Sequence, residues 1–173
     1  MKLTLLSLVI CLAAAGTFPS ISGKTLNDKA ITLPADSKGK ITLIGMAYSK
    51  KSEGSLKSWF TPLHDKFILK RGMFDKEYDI NLYFIPMFTG LKKSAYNSTF
   101  KKLKESNRKA LFDNILFYKG DLEPYKTDLN LDEKEKPYLF LLDEEGEIIF
   151  ETEGKFTESK LEKIEDAISQ AGK

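Results

Sequence analysis

The residue types that most often carry catalysis or bind metals are scarce in this chain of 173 residues. It has one cysteine, Cys11, and one histidine, His64. A thiolate can attack disulfides or peroxides and can ligate metals, but Cys11 lies in an apolar stretch at the N-terminus. If that stretch is removed, no thiol remains. Disulfide exchange, thiol peroxidase chemistry, thiolate metal sites and structural disulfides are then excluded together.

The remaining candidates for chemistry have simpler interpretations. His64 falls in a predicted helix without a sequence neighbour that could complete a metal site or activate a nucleophile. Ser49, Ser52 and Ser55 lack an elbow motif such as Gly-x-Ser-x-Gly, so we interpret them as loop and cap residues. The acidic residues 143–145 lack the alternating oxygen ligands of a calcium loop and indicate a solvated turn. We therefore predict no catalytic residue, no metal site and no cofactor.

Residues 1–16 have the pattern of a secretory signal peptide. Lys2 supplies a positive charge, residues 3–12 an apolar core, and residues 13–16 the small side chains that a signal peptidase accepts. We predict a signal peptide over residues 1–16 and one domain over residues 17–173, secreted or periplasmic and without a membrane span. A lipid anchor on Cys11 is the less favoured alternative, because Ile10 is not the small residue expected before a lipidated cysteine.

Charge is unevenly distributed along the chain. Residues 38–109 carry sixteen basic and six acidic side chains, whereas residues 119–166 carry seven basic and sixteen acidic ones. A predicted helix over residues 91–109 holds seven of the cations. We interpret its polar face as solvated, with an acidic protein or a membrane surface as the next candidates. Secretion argues against nucleic acid as a partner.

The segment over residues 135–150 predicts an antiparallel hairpin that organises the domain. Two apolar, β-rich runs flank Asp-Glu-Glu-Gly, and Gly146 can take the positive φ at the end of such a loop. Residues 139–142 are continuously apolar, which indicates a strand buried on both faces. Pro137 must then stand at the first strand residue, because a proline inside a central strand removes a ladder hydrogen bond.

Alternating strands and helices are predicted around this hairpin. Strands are predicted at residues 41–47, 80–87 and 115–118. The helix after residue 47 is predicted to be capped by Ser52 or Ser55 and kinked at Pro62. Its apolar face comprises Leu56, Trp59, Phe60, Leu63 and Phe67. The helix over residues 91–109 is predicted to turn Leu91, Ala95, Phe100 and Leu103 inward. The last helix is predicted to begin at Thr157 and to bury Leu161, Ile164 and Ile168.

These segments resemble the thioredoxin-like superfamily, particularly its TlpA-type members. In that family a proline with a cis peptide bond opens a strand followed by Asp-x-x-Gly and a second strand, as in residues 137–150 here. Residues 18–33 are similar to the small hairpin that precedes the core in those proteins. The resemblance implies a three-layer α/β sandwich, with a central mixed β-sheet and helices on both faces. It also implies a cis bond at Pro137.

Redox-active relatives carry Cys-x-x-Cys at the N-terminus of the helix after the first central strand. Counting forward from that strand places the equivalent residues at Ser49-Lys50-Lys51-Ser52. Counting back from Pro62 places them at Gly54-Ser55-Leu56-Lys57, which would require a lengthened loop. Neither tetrapeptide contains cysteine. A second resemblance, carried by Trp59-Phe60-Thr61-Pro62 and residues 138–143, is to the mitochondrial ATP synthase assembly factors, which also have a cysteine-poor thioredoxin-like domain.

The sequence therefore favours a redox-inactive, secreted thioredoxin-like protein that acts in protein binding or assembly. The loop and the cis-proline region are its predicted docking surface, and their lysines would suit an acidic protein partner. The predicted docking residues are Ser49, Lys50, Lys51, Ser52, Lys136 and Pro137. The alternative is a non-thiol enzyme or a small-ligand carrier that uses the same cleft.

Overall fold

The computed structural model describes residues 16–72, 78–106 and 109–172. The predicted signal peptide, including Cys11, lies outside the described residues except for Gly16.

The described residues form a seven-stranded mixed sheet. Its strands are β1 (Ile21–Thr25), β2 (Ala30–Leu33), β3 (Thr42–Ala47), β4 (Asn81–Phe88), β5 (Leu116–Lys119), β6 (Tyr138–Leu142) and β7 (Ile148–Glu153). Their order across the sheet is β2-β1-β5-β4-β3-β6-β7. β4 lies parallel to β3 and β5, and the other neighbouring strands are antiparallel. The mixed sheet, the opening hairpin of β1 and β2, and the later hairpin of β6 and β7 confirm the predicted fold.

Helices cover both faces of the sheet and complete the three layers. They are α1 (Lys50–Leu63), α2 (Tyr96–Lys104), α3 (Glu123–Asp128) and α4 (Glu158–Ala171). One core cluster contains side chains of α1 and α4, with Phe100 and Leu103 of α2 packed against it. The other contains Tyr125 of α3 together with Phe18 and residues of β1 and β2. None of the described helices is long and apolar enough to span a bilayer.

Gly45 allows α1 to lie close to the sheet. It occupies the middle of β3, and a Cβ atom at this position would lie 2.8 Å from Leu56 Cδ1. Real Cβ atoms do not approach a neighbour so closely, so with any other residue at this position the Leu56 side chain would have to move. The predicted apolar face of α1 is confirmed, because all five of its residues are buried: Leu56, Trp59, Phe60, Leu63 and Phe67.

The N-terminus of α1 differs from the prediction. The cap is Ser49 rather than Ser52 or Ser55. Only Tyr48 and Ser49 separate β3 from α1, so the loop is not lengthened. The forward count is therefore the right one: Ser49-Lys50-Lys51-Ser52 begins the helix. Pro62 lacks an N–H, and one π-helical turn over His64–Ile68 follows shortly after it.

The segment before and within α2 also departs from the prediction. Residues Gly90–Ala95 form a 3-10 helix, and the regular helix ends at Lys104. Leu91 is 98% exposed and Ala95 is exposed, so their predicted inward positions are wrong. The physical reason is a change of period, because a 3-10 helix has about three residues per turn and shifts the phase of the apolar face. Phe100 and Leu103 do pack against the core.

The hairpin of β6 and β7 is formed as predicted, but its proline is not cis. All five residues of β6 are buried, and Gly146 has a φ of +90°. Asp143 accepts hydrogen bonds from the amides of Glu145 (3.0 Å) and Glu147 (2.9 Å), which makes the acidic residues a turn. Lys136–Pro137 is trans, and the cis bond of the described residues joins Leu33 to Pro34. Trans is the lower-energy form of an X–Pro bond, and the resemblance alone had suggested cis.

The last helix agrees with the sequence. Thr157 caps α4, with its hydroxyl accepting from the amide of Lys160. Ile164 and Ile168 are buried, and Leu161 is half-buried against the core.

Candidate functional site

Ser49 and Ser52 cap the first turn of α1 reciprocally. Ser49 Oγ accepts a hydrogen bond from the amide of Ser52 (3.1 Å), and the amide of Ser49 donates to Ser52 Oγ (3.0 Å). The two hydroxyl oxygens are 3.0 Å apart. Free amides at a helix N-terminus stabilise an anion or thiolate. Here the serine pair occupies two of those amides, and Ser52 is fully buried.

Lys51 connects this helix turn to the segment before β6. Its Nζ lies 2.5 Å from Glu135 Oε2. The hydrogen bond from Lys51 lowers the pKa of the Glu135 carboxyl. The ion pair joins the first turn of α1 to the residue that directly precedes Lys136-Pro137. Lys50, the neighbouring cation, is exposed and pairs with no carboxylate of the described residues.

Lys136 and Pro137 are less available than predicted. Lys136 is half-buried, and its Nζ lies 2.7 Å from Glu153 Oε1 on β7. That hydrogen bond raises the pKa of Lys136. The amide of Lys136 donates to the carbonyl of Glu133 (3.1 Å), so this main-chain donor is already used. Pro137 is buried, and its carbonyl accepts from the amide of Gly154 (2.8 Å).

Two tyrosines missed in the sequence lie beneath this surface. The Tyr48 hydroxyl donates to the carbonyl of Leu131 (2.8 Å), and the Tyr138 hydroxyl accepts from the amide of Glu133 (2.7 Å). Burial, with a smaller effect of nearby Tyr138, raises the pKa of Tyr48 to about 12. Their positions were a usable signal, since Tyr48 directly precedes Ser49 and Tyr138 directly follows Pro137. Both hold the loop of residues 131–133 against the sheet.

The histidine and the acidic residues considered in the sequence analysis show no arrangement for chemistry among the described residues. His64 is buried, with Nε2 3.3 Å from the carbonyl oxygen of Ala110. Within the described ranges, no group of three His, Cys, Asp or Glu side chains is arranged to hold a metal ion.

The lysines at and before α2 are not simply solvated. Lys92 pairs with Glu53 of α1, and Lys93 lies 2.7 Å from Asp121. Lys104 pairs with Asp28 in the turn between β1 and β2. Lys101, Lys102 and Lys109 are exposed. The basic surface is therefore partly neutralised by acids that are distant in the sequence.

Solved structures similar to this chain share its fold at low sequence identity. A putative thiol:disulfide interchange protein DsbE from Chlorobium tepidum has a TM-score of 0.56 at 14% identity, covering 91% of this chain and 96% of that one. The thioredoxin domain of a thiol-disulfide oxidoreductase from Bacteroides vulgatus has a TM-score of 0.61 at 18% identity, covering 91% and 99%. BsSco, a member of the Sco family of cytochrome c oxidase assembly proteins, has a TM-score of 0.55 at 13% identity, covering 90% and 95%. These likenesses establish the thioredoxin-like fold.

A family comparison covers almost the whole chain. The sequence profile described as ATP10 protein matches residues 9–170. No curated protein sequence matches the chain.

Proposed function

The chain belongs to the ATP10 protein family, the ATP synthase assembly factors, and from this membership we propose that it is a redox-silent protein that binds a partner during assembly. A protein-binding role in assembly follows from the family. Redox silence, the docking surface and the location outside the cytoplasm are the finer parts of the proposal.

The observation that carries the proposal is the serine pair at the start of α1. Thiol oxidoreductases of this fold act through a thiolate at this helix end, and exchange requires sulfur that can attack and leave. Ser49 and Ser52 have no sulfur, and their hydroxyls cap the helix instead. A buried, doubly hydrogen-bonded hydroxyl such as that of Ser52 is a structural group. The fold is thereby kept while the exchange chemistry is lost.

We place the docking surface on the cationic rim formed by Lys50, Lys51 and Lys136. Lys50 is the open cation, while Lys51 and Lys136 already bind Glu135 and Glu153. An acidic segment of a partner would therefore contact Lys50 first and then compete with the two internal carboxylates. Such exchange of exposed ion pairs favours orientation and association rate more than affinity. Ser49, Ser52 and Pro137 position this rim from below.

Redox silence is tested with an insulin-reduction assay on the full chain. We expect the protein and its Cys11→Ser variant to match a heat-killed control. The double change Ser49→Cys with Ser52→Cys, which puts two thiols at the helix end, serves as the matched positive variant. Clear insulin reduction by the Cys11→Ser variant would refute the proposal.

The docking surface is tested by capture of partners from the envelope fraction. We expect Lys50→Glu with Lys51→Glu to lose the partners that the unchanged protein captures. Lys57→Glu, an exposed change on the same helix, is the control and should retain them. Equal capture by all three proteins would place docking elsewhere.

Location is tested by fractionation combined with N-terminal sequencing. The signal pattern of residues 1–16 supports a secreted or periplasmic protein that begins near Thr17. A lipid-modified Cys11 would replace secretion with anchoring, and an unprocessed or mitochondrial protein would contradict the proposed location.

A further inference from the structure

Strand β7 is the outermost strand on its side of the sheet, and no other strand of the described residues (16–72, 78–106 and 109–172) pairs with its outer edge. At one end, the amide of Ile148 donates to the carbonyl of Gly16 (3.0 Å). At the other end, Lys160 Nζ donates to the carbonyl of Glu153 (2.7 Å). The first contact shows that this edge accepts a neighbouring extended segment. Between the two contacts lie residues 149–152.

The register identifies the backbone groups that face outward. The amide of Gly154 donates to the carbonyl of Pro137, so these two residues form a hydrogen-bonded pair. Hydrogen-bonded and non-hydrogen-bonded pairs alternate along antiparallel strands. Thr152 and Leu139 are therefore the next hydrogen-bonded pair, and Glu151, opposite Phe140, is not bonded to β6. The N–H and C=O of Glu151 consequently point away from the sheet.

A groove of about 490 Å³ runs beside this open edge. Phe140, Asn130 and Lys160 are among the residues that line it. Glu151 and Glu153 both line it, since residues two apart on a strand share a face. An extended segment paired with Glu151 would place alternate side chains in this groove.

The negative charge of the hairpin of β6 and β7 indicates which kind of segment could pair with β7. Residues 138–153 contain six acidic side chains and no Lys or Arg. A second copy of β7 would place like charges opposite one another, which destabilises strand pairing. A segment with cations at alternate positions would instead place opposite charges across from Glu151 and from Glu153, where it would compete with Lys136.

We propose that the open edge of β7 binds an extended segment of a partner protein that carries Lys or Arg at alternate positions, by adding it as a strand to the sheet. This surface adjoins the rim of Lys50, Lys51 and Lys136, because Glu153 lines the groove and also binds Lys136. Pairing with the Glu151 backbone nevertheless requires no contact with Lys50 or Lys51.

The probe is a short synthetic peptide of alternating Lys and Thr, compared with an alternating Glu and Thr peptide. Binding to the full chain is measured by calorimetry, and amide shifts in the NMR spectrum locate the site. We expect the Lys peptide to bind and to shift the Glu151 amide, and the Glu peptide not to bind. A Lys peptide with N-methylated alternate amides should lose binding, because it cannot pair with the edge.

Two variants separate backbone pairing from charge. Glu151→Pro removes the outward N–H without removing a hydrogen bond to β6, a change that edge strands tolerate. We expect it to weaken peptide binding about tenfold or more, with an unchanged melting temperature. Glu151→Gln keeps the amide and should weaken binding about threefold. Lys50→Glu with Lys51→Glu should leave peptide binding unchanged, so failure of the docking rim and failure of this edge are distinguishable.

Three results would overturn the proposal. The Lys peptide could bind no better than the Glu peptide, or the N-methylated peptide could bind as well as the unmodified one. Sedimentation could also reveal a dimer that Glu151→Pro dissociates, which would assign the edge to a second copy of the chain.

Discussion

Helices α1 and α2 lie on the same face of the sheet but are held there by different interactions. Trp59 and Leu63 of α1 are fully buried against the central strands. No described residue of α2 is fully buried, and Lys104 of α2 instead pairs with Asp28. Burial at regular spacing is visible in the sequence, whereas ion pairs between distant residues are not. The comparison also predicts that the two helices will respond differently to substitution and to acid.

The largest expected effect is in α1. Trp59 is fully buried, its indole N–H donates to the carbonyl of Gly154 (2.9 Å), and its ring packs edge-on against Phe156. Trp59→Ala should lower the free energy of unfolding by about 3–5 kcal/mol. Denaturant unfolding measures the change. Leu91→Ala, at the fully exposed position before α2, is the control and should change stability by less than about 0.5 kcal/mol.

A loss below about 1 kcal/mol for Trp59→Ala would mean that α1 is not held by burial.

A smaller effect is expected from the apolar contact of α2. Phe100 is half-buried and packs edge-on against Phe117, with ring centroids 5.1 Å apart. Phe100→Ala should cost about 1–2 kcal/mol, less than a fully buried aromatic residue. Denaturant unfolding again provides the measurement. If the cost equals that of Trp59→Ala, the contrast between the helices is lost.

Removing a serine hydroxyl from the first turn should lower the free energy of unfolding by about 1 kcal/mol more in α1 than in α2. Ser52→Ala removes the hydroxyl that accepts from the Ser49 amide, so this half-buried donor loses its partner. Ser98→Ala on α2 removes only a hydrogen bond to the carbonyl of Ala95 at an exposed position. Thermal unfolding of both variants should show a measurable loss for Ser52→Ala and almost none for Ser98→Ala. Equal losses would indicate that the reciprocal cap contributes nothing special to α1.

The smallest expected effect is the loosening of α2 at low pH. A hydrogen bond from Lys104 lowers the pKa of Asp28, and one from Lys93 lowers the pKa of Asp121. A lowered pKa stabilises the folded state above the unfolded value of 3.8, and this contribution is lost as pH falls through the folded values. Amide hydrogen exchange, corrected for intrinsic rates, should show α2 losing protection in that range before α1. Both carboxylates are exposed, so added salt should have a similar effect.

Asp28→Asn with Asp121→Asn is the control for this titration. These changes should loosen α2 already at neutral pH and remove the acid dependence. Simultaneous loss of protection in both helices would show that the ion pairs do not tether α2.

The sequence predicted correctly those parts of the fold that depend on residues close to one another in the chain. The apolar spacing of Leu56 to Phe67 and the Gly146 turn each depend on neighbours within a few residues, and both predictions are correct. The predicted inward position of Leu91 was wrong, because a 3-10 helix begins at Gly90 and changes the period of the apolar face. The N-cap was misplaced because several serines precede Leu56, and the reciprocal hydrogen bonds between Ser49 and Ser52 identify Ser49 as the cap.

The interactions of the predicted docking residues could not be read from the sequence. The sequence grouped Lys51 with Lys136, yet it did not reveal that Glu135 and Glu153 bind them. The ion pairs of Lys92 and Lys93 join residues 39 and 28 positions apart, a separation that no local pattern encodes. The cis bond assigned to Pro137 came from a family resemblance, which does not determine the isomer of one bond.

The contacts of the first described residues affect the order in which the protein can fold. The amide of Phe18 donates to the carbonyl of Gly146 (3.1 Å), and the Thr17 hydroxyl donates to Glu147, which lies 130 positions later in the chain. During synthesis, Thr17 and Phe18 therefore lack these partners until the final hairpin has been made. Contacts this distant slow folding and prolong the time in which apolar segments such as Phe18 to Ile21 are exposed. A ribosome stalled before residue 146 would carry a nascent chain in which this closure cannot form, and protease sensitivity at the N-terminal hairpin would report it.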